Sequence, residues 1–222
     1  MTIGDAYIQF LILVNRNATN NQVNVDLPRF VKLFNNIQNK FVEWILEKRN
    51  EDDIRDIQRI LVIEAALAEI SSEDSHNKFA LPSDYFNFAN ITALASTECC
   101  KNERMLVWEV KSEDVEEKLN DKHNEPSFEA RETFFYFTSN AVAVYKKNFD
   151  ISGVLLSYYR YPRQVDIAGY VDRLTQQPSA NIDPEFDDKV VNRILLAMAK
   201  EFTGINENAQ GYNLAKDRLF TI

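Results

Sequence analysis

Glycine is scarce in this chain: 5 in 222 residues. Gly4, Gly153, Gly169, Gly204 and Gly211 stand far apart, and none falls in G-x-G-x-x-G or G-x-x-x-x-G-K spacing. Phosphate cradles need closely spaced glycines, so that bare backbone can approach the ligand. Nucleotide binding by either route is therefore not expected. Histidine is scarcer still, with only His76 and His123. Both fall in charged stretches that read as exposed loops, which leaves no base for a Ser-His-Asp system and too few ligands for zinc. The two cysteines, Cys99 and Cys100, exclude a disulfide scaffold. Read on a strand, they would point to opposite faces, so one metal or disulfide partner would not serve both. Long apolar runs are missing too. The stretch Phe10–Val14 falls far short of the roughly 20 residues that span a bilayer, and Asp5 precedes the first cation, Arg16, unlike a secretory leader.

Basic charge is in deficit. Lys plus Arg number 25 against 34 Asp plus Glu, a formal net charge of −9. Tight wrapping of nucleic acid needs clustered cations and is disfavoured. Carboxylates are abundant, but the adjacent pairs Glu116-Glu117 and Asp187-Asp188 do not share a helix face, Asp52-Asp53 falls in an interhelix turn, and all three read as solvated surface. An enzyme built on two distant acids would leave no local trace.

Hydrophobic residues make up 45% of the chain, and their spacing carries the architecture. Ile3, Tyr7, Phe10, Leu11 and Val14 fall on one helical face, ahead of an Asn-rich stretch from Asn15 to Asn24. Asp26 and Pro28 open a second helix, with Leu27, Phe30, Phe34, Ile37, Phe41 and Ile45 at three- and four-residue spacing. Ile54, Ile57, Ile60, Leu61, Ile63, Leu67 and Ile70 extend the pattern into a third. The short link at Arg49–Asp53 predicts an antiparallel helical hairpin. Ser71–Lys78 reads as a polar loop.

After Leu81-Pro82 the period shortens. Strands are expected from Tyr85, over Met105–Val110, and over Thr133–Phe137 and Ala141–Lys146 around a tight Ser139-Asn140 turn. Ser112–Val115 reads as a short helix start, and Lys118–Pro126 as a loop. Ile151–Tyr161 carries large residues on both faces and predicts a strand that is central or covered on both sides. Pro162–Ile182 has neither period. Asp183 as N-cap, Pro184 and Glu185 predict a helix striped by Phe186, Val190, Ile194, Met198 and Phe202, stopping at Gly204. A last helix is expected over Asn208–Phe220. Tyr158-Tyr159-Arg160-Tyr161-Pro162 concentrates residues favoured at interface cores. Equally, it fits an amphipathic strand whose hydroxyls reach water.

The expected fold class is α+β. An N-terminal helical hairpin comes first, central and mainly antiparallel strands follow, and C-terminal helices pack back, with no alternating strand–helix rhythm to suggest a parallel sheet. One domain over 1–222 is expected, with a helical part (1–80), a β-rich part (81–162), an irregular loop (163–182) and C-terminal helices (183–222).

The order of motifs resembles a known family. A helical pair, Leu-Pro-x-Asp-aromatic (Leu81, Pro82, Asp84, Tyr85), Tyr-x-x-Tyr-Pro (Tyr158, Tyr161, Pro162), an irregular loop and Asp-Pro-Glu-Phe (Asp183, Pro184, Phe186) look like the head–tail adaptors of short-tailed phages. These include the tail tubular protein A type and the ring proteins of crAss-like phages. The resemblance spans nearly the whole chain. It implies a helical bundle with a β insertion, and a virion protein of the tail or neck, made in the host bacterial cytoplasm, with no active site and no cofactor. The implied partners are further copies in a dodecameric ring, the portal protein and the next tail or ring protein. DNA would pass through the channel without sequence-specific binding, and no membrane is involved. The alternative is a non-enzymatic helical protein–protein interaction module of viral or bacterial origin.

Overall fold

The computed structural model describes residues 1–15, 24–48, 50–173 and 176–207. Most of the Asn-rich stretch, Arg49 of the interhelix link and the expected helix over Asn208–Phe220 lie outside the described residues. The chain divides into two compact units. One comprises Met1–Ile60 with Pro162–Ile222, and the other Leu61–Tyr161.

The first unit holds the long helices. Helix α1 (Ile3–Asn15) buries Ile3, Ala6, Phe10 and Val14. Helix α2 (Leu27–Lys48) buries Phe30, Val31, Phe34, Ile37, Gln38, Phe41, Val42 and Ile45, the stripe its spacing requires. Helix α3 (Glu51–Asp56) is a single short element, capped by the Asn50 side chain accepting from the Asp52 amide. A 3₁₀ turn at Gln58–Ile60 follows.

The expected helical hairpin is absent. Residues 61–66 leave the helical path and form strand β1 (Leu61–Ala66) of the second unit. The apolar positions from Ile54 to Ile70 satisfied a helical spacing. However, Ile60-Leu61-Val62-Ile63 is an unbroken, largely β-branched block that suits a strand equally well. Strand pairing decides between the two readings: Leu61 and Val62 lie opposite Tyr159 and Tyr158.

The second unit is an eight-stranded sheet. Its other strands are β2 (Glu69–Ser72), β3 (His76–Ala80), β4 (Tyr85–Ser96), β5 (Glu103–Glu109), β6 (Glu132–Phe137), β7 (Ala141–Tyr145) and β8 (Asp150–Arg160). The order is β1-β8-β4-β5-β6-β7-β3-β2. The stretch expected as a polar loop at Ser71–Lys78 is therefore the β2–β3 hairpin. The β6–β7 hairpin forms where its turn residues place it. Every pairing is antiparallel except β5–β6. That parallel pair has the long connection it needs, through a 3₁₀ turn at Ser112–Asp114 and helix α4 (Val115–Asn120).

The fold is thus α+β dominated by an eight-stranded mixed sheet with a few helices, and the expected helical bundle with a β insertion is not what forms. The main core of the sheet gathers Phe79, Ile91, Met105, Phe135, Val142, Val144, Ile151, Val154, Leu156 and Tyr158 on one face. Alternation sends Phe134 and Tyr145 to the other face, where Val110, Val115 and Leu119 cover them. Strand β8 lies inside the sheet, between β1 and β4; it buries Val154, Leu156 and Tyr158, while its opposite face is only half-buried, so of the two expectations the interior position holds and the cover on both sides is partial.

In the first unit, helix α5 (Asp188–Glu207) packs on α1 and α2. Phe186, Val190, Ile194, Met198 and Phe202 are all buried. Two details differ from expectation. The helix starts at Asp188, five residues after the expected cap, and it runs through Gly204. Asp183 and Glu185 are occupied elsewhere: Asp183 accepts from the Ile3 amide (2.8 Å) and Glu185 from the Arg163 amide (2.7 Å).

Candidate functional site

Two of the three sequence motifs meet at one end of the sheet. Leu81 follows β3 and its amide donates to the Asn140 carbonyl of the β6–β7 turn (3.0 Å). Pro82 starts a tight turn closed by the Tyr85 amide on the Pro82 carbonyl (3.1 Å). This turn presents both acceptors of Asp84 to the end of β8. The carbonyl takes the Tyr161 amide (2.8 Å), and Oδ1 takes the buried Tyr158 hydroxyl (2.9 Å).

Aromatic rings enclose the junction. Tyr85 lies 5.8 Å from Tyr158 and 6.1 Å from Phe137, and Phe86 meets Tyr161 edge-on at 4.6 Å. The Leu81–Tyr85 turn and the Tyr158/Tyr161 strand end are thus one hydrogen-bonded aromatic node. Pro162, Asp183, Pro184 and Phe186 belong to the other unit, where Pro162 and Phe186 are buried.

The chemistry of this node is that of a fastening. Burial, then the hydrogen bond to Asp84, pushes the Tyr158 phenol up to about 12. Burial also raises Tyr85 and Tyr159. All three phenols stay protonated at neutral pH, and Tyr158 acts as a donor, not as a base. Tyr161 is half exposed and offers a ring face and a hydroxyl to solvent or to a partner.

A second locus lies where three turns converge in the same unit. A cavity of about 800 Å³ opens between the β2–β3, β4–β5 and β7–β8 turns, lined by Asp74, Thr97, Glu98, Cys99, Lys101, Lys146, Lys147 and Asp150 among others. Its charge is mixed: Lys146 Nζ lies 3.6 Å from Asp150 within the lining, and Lys147 pairs with Glu125 outside it.

Cys99 and Cys100 sit in the β4–β5 turn, not on a strand, and both thiols point the same way, 2.8 Å apart. The expectation of opposite faces is overturned because a turn lacks the strand's alternation. The hydrogen bond with Cys100, helped by Thr97, pushes the Cys99 thiol below its ordinary range; the same bond holds Cys100 above it. Among the described residues no group of three or more His, Cys, Asp or Glu is gathered to hold a metal ion.

His76 also departs from expectation. It is buried in β3, its ring 5.2 Å from Tyr145. Its Nδ1 meets Ser75 Oγ at 3.1 Å, while Nε2 is buried without a hydrogen bond, 3.6 Å from Glu73. Burial lowers its pKa, partly opposed by Glu73. His123 is exposed, as its loop position implied. Of the paired acids, Asp53 with Asp56 binds Arg193 at 3.0 and 3.2 Å, Asp187 pairs with Arg59, and Asp188 pairs with the Met1 amino group.

No protein-family model matches the chain, and no curated protein matches it by sequence.

Proposed function

We propose that the protein is a structural component of a virion neck, a ring subunit that lies below the portal, joins capsid to tail and continues the DNA channel. The reading is supported by the order of its motifs and by its surface. Its sheet-dominated architecture differs from the helical bundle that the resemblance implied, so the fold does not add to the case.

The observation that carries it is on α1. This helix buries one face completely, yet leaves Ile8 and Ile12, one turn apart, 58% and 61% exposed. Two large aliphatic residues stacked on one outward face form a contact surface for a neighbouring protein. Leu106 and Ile63 on the sheet, with Tyr161 at the aromatic node, add apolar surface to the second unit. Copies of the chain, the portal and the next tail ring are the proposed partners. The net charge of −9 suits a channel past which DNA slides, because carboxylates repel phosphate.

Mass photometry of the full chain, alone and with the cognate portal, tests the proposal. A ring assembling on the portal is the expected result. A chain that stays monomeric or dimeric beside the portal, or particles that join capsid to tail and retain DNA without it, would overturn the reading in favour of a small interaction module.

A further inference from the structure

The β4–β5 turn is held rigidly around its two thiols. The Thr97 amide donates to the Cys100 carbonyl (2.8 Å), the Asn102 amide to Ser96 Oγ (3.1 Å), and Ser152 Oγ of β8 to Asn102 Oδ1 (2.8 Å). Cys99 is exposed and lines the cavity; Cys100 is half-buried beside it. The sulfurs are 2.8 Å apart and Thr97 Oγ1 is 3.3 Å from Cys99 Sγ.

Two outcomes are open to such a pair. A direct disulfide is disfavoured by the chain itself. The peptide bonds of the described residues are all trans, which sets neighbouring Cα atoms about 3.8 Å apart, short of the roughly 4.4–6.8 Å that a relaxed disulfide spans. A bridge through a third atom removes that constraint, since it lengthens the ring. The geometry also selects the bridging atom. Neighbouring sulfurs on one side of a turn subtend a narrow angle at anything bound between them. A centre that prefers its ligands on opposite sides cannot use both. A soft, pyramidal, three-coordinate centre can.

We propose that Cys99 and Cys100 form a dithiol chelating site for trivalent arsenic compounds, open to solvent at the mouth of the cavity. With an organoarsenous oxide the step is a condensation. Two As–S bonds form and the arsenic–oxygen bonding breaks. The two thiol protons leave on that oxygen as one water, with no change of oxidation state. The third position on arsenic keeps its organic group and faces the cavity.

Phenylarsine oxide and the full-length reduced chain provide the test. Intact-mass measurement should show one phenylarsenic group per chain, with both cysteines protected from a maleimide. The adduct should survive excess monothiol and be released by a dithiol. The second As–S bond is intramolecular, and two-point attachment of this kind strengthens binding by about 10²–10⁴-fold. Cys99→Ser and Cys100→Ser should therefore each weaken retention by that order. Circular dichroism of each variant, and mapping of the wild-type adduct to the Thr97–Asn102 peptide, separate loss of the site from loss of the fold. A thiol still open to maleimide in the wild-type adduct, or equal retention by either serine variant, would overturn the proposal. Neither result bears on the ring assignment.

Discussion

Tyr158 and Asp84 show how much can rest on a single polar contact. The phenol is 4% exposed, and its one polar atom is directed at a carboxylate on a turn 74 residues earlier in the chain. Tyr158→Phe keeps the ring and removes that bond. Hydrogen bonds to charged groups contribute about 1.5–3 kcal/mol; with Asp84 exposed to water, a loss of about 1–2 kcal/mol is expected. Urea unfolding should show a lower midpoint at unchanged slope.

His76 makes a prediction of the opposite kind, because its burial opposes protonation. Its pKa in the folded protein is lowered, while in the unfolded chain it titrates near the ordinary imidazole value of about 6.5. As pH falls through that value, the unfolded state takes up a proton that the folded state resists, so stability declines on the acid side. Glu73 partly offsets this, whereas Lys78 and Lys146 add to it. His76→Phe preserves the ring against Tyr145 and abolishes the titration. Stability measured between pH 7 and 5 should fall less steeply in the variant; equal slopes would assign the decline to the carboxylates alone.

At the scale of elements, the irregular segment after Pro162 is held by side chains, where a strand would be held by a ladder. Asn35 on α2 grips Val165 twice, accepting from its amide (2.9 Å) and donating to its carbonyl (3.1 Å), and Gln38 donates to the Arg163 carbonyl (3.1 Å). Further on, Asp166 accepts from the Ile167 amide, the Tyr170 hydroxyl and the Ala180 amide, and a backbone bridge to Ile182 closes the excursion. Asn35→Ala should therefore speed amide exchange at Val165 by roughly tenfold, the equivalent of about 1.4 kcal/mol of local opening, while leaving exchange in the sheet unchanged. Gly169 lies on this excursion with φ +123°, and a Cβ built there would come 3.3 Å from Leu27 Cδ1. Gly169→Ala is expected to cost about 1–3 kcal/mol in thermal or denaturant unfolding, from backbone strain and crowding together.

Elements also show where pattern reading succeeds. Helix α2 is legible because six apolar positions, Leu27, Phe30, Phe34, Ile37, Phe41 and Ile45, repeat at three and four along its 22 residues, too long a coincidence for any other element. The β6–β7 hairpin is legible because Ser139-Asn140 marks a turn between two short runs rich in aromatic and β-branched residues. The stretch from Ile54 to Ile70 was not, because its period served helix and strand alike and the partner that resolves it, β8, lies about 90 residues away. Asp183-Pro184-Glu185 reads as a cap by composition, yet its carboxylates are taken by amides distant in sequence. Of the candidate sites, the aromatic node is legible in Leu81, Pro82, Asp84, Tyr85, Tyr158 and Tyr161, but not in Phe86 and Phe137, which help to enclose it, nor in the junction through Asp84. The thiol pair was missed because a turn was read as a strand.

For the whole molecule, the decisive question is what covers the exposed apolar surface. Ile8→Glu with Ile12→Glu changes only outward-facing positions, so the melting temperature should hold within about 2 °C. If α1 provides the contact between ring subunits, assembly on the portal should fail in the same variant, as read by mass photometry. Intact assembly would move the contact to the sheet, where Leu106 and Ile63 are the next positions to change. The sheet edge at β1 is an unattractive joint in itself. Glu64 sits at positive φ in a bulge and pairs with Arg104, which interrupts the edge that another strand would need.

The linear order of residues alone determined the local matters: which stretches are amphipathic, where the Ser139-Asn140 turn forms, that the glycine spacing of phosphate-binding motifs is lacking and that the charge is acidic. These depend on neighbours within one or two turns of chain, and their physics is local. Tertiary structure alone decided that residues 61–80 become strands, that β5 and β6 run parallel, that Asp84 meets Tyr158, and that two adjacent thiols face the same way. Each of these is settled by which distant backbone or side chain satisfies a buried polar group or covers an apolar face. Such partners are chosen by the competition of the whole chain for burial and hydrogen bonds, and no short window of sequence contains it.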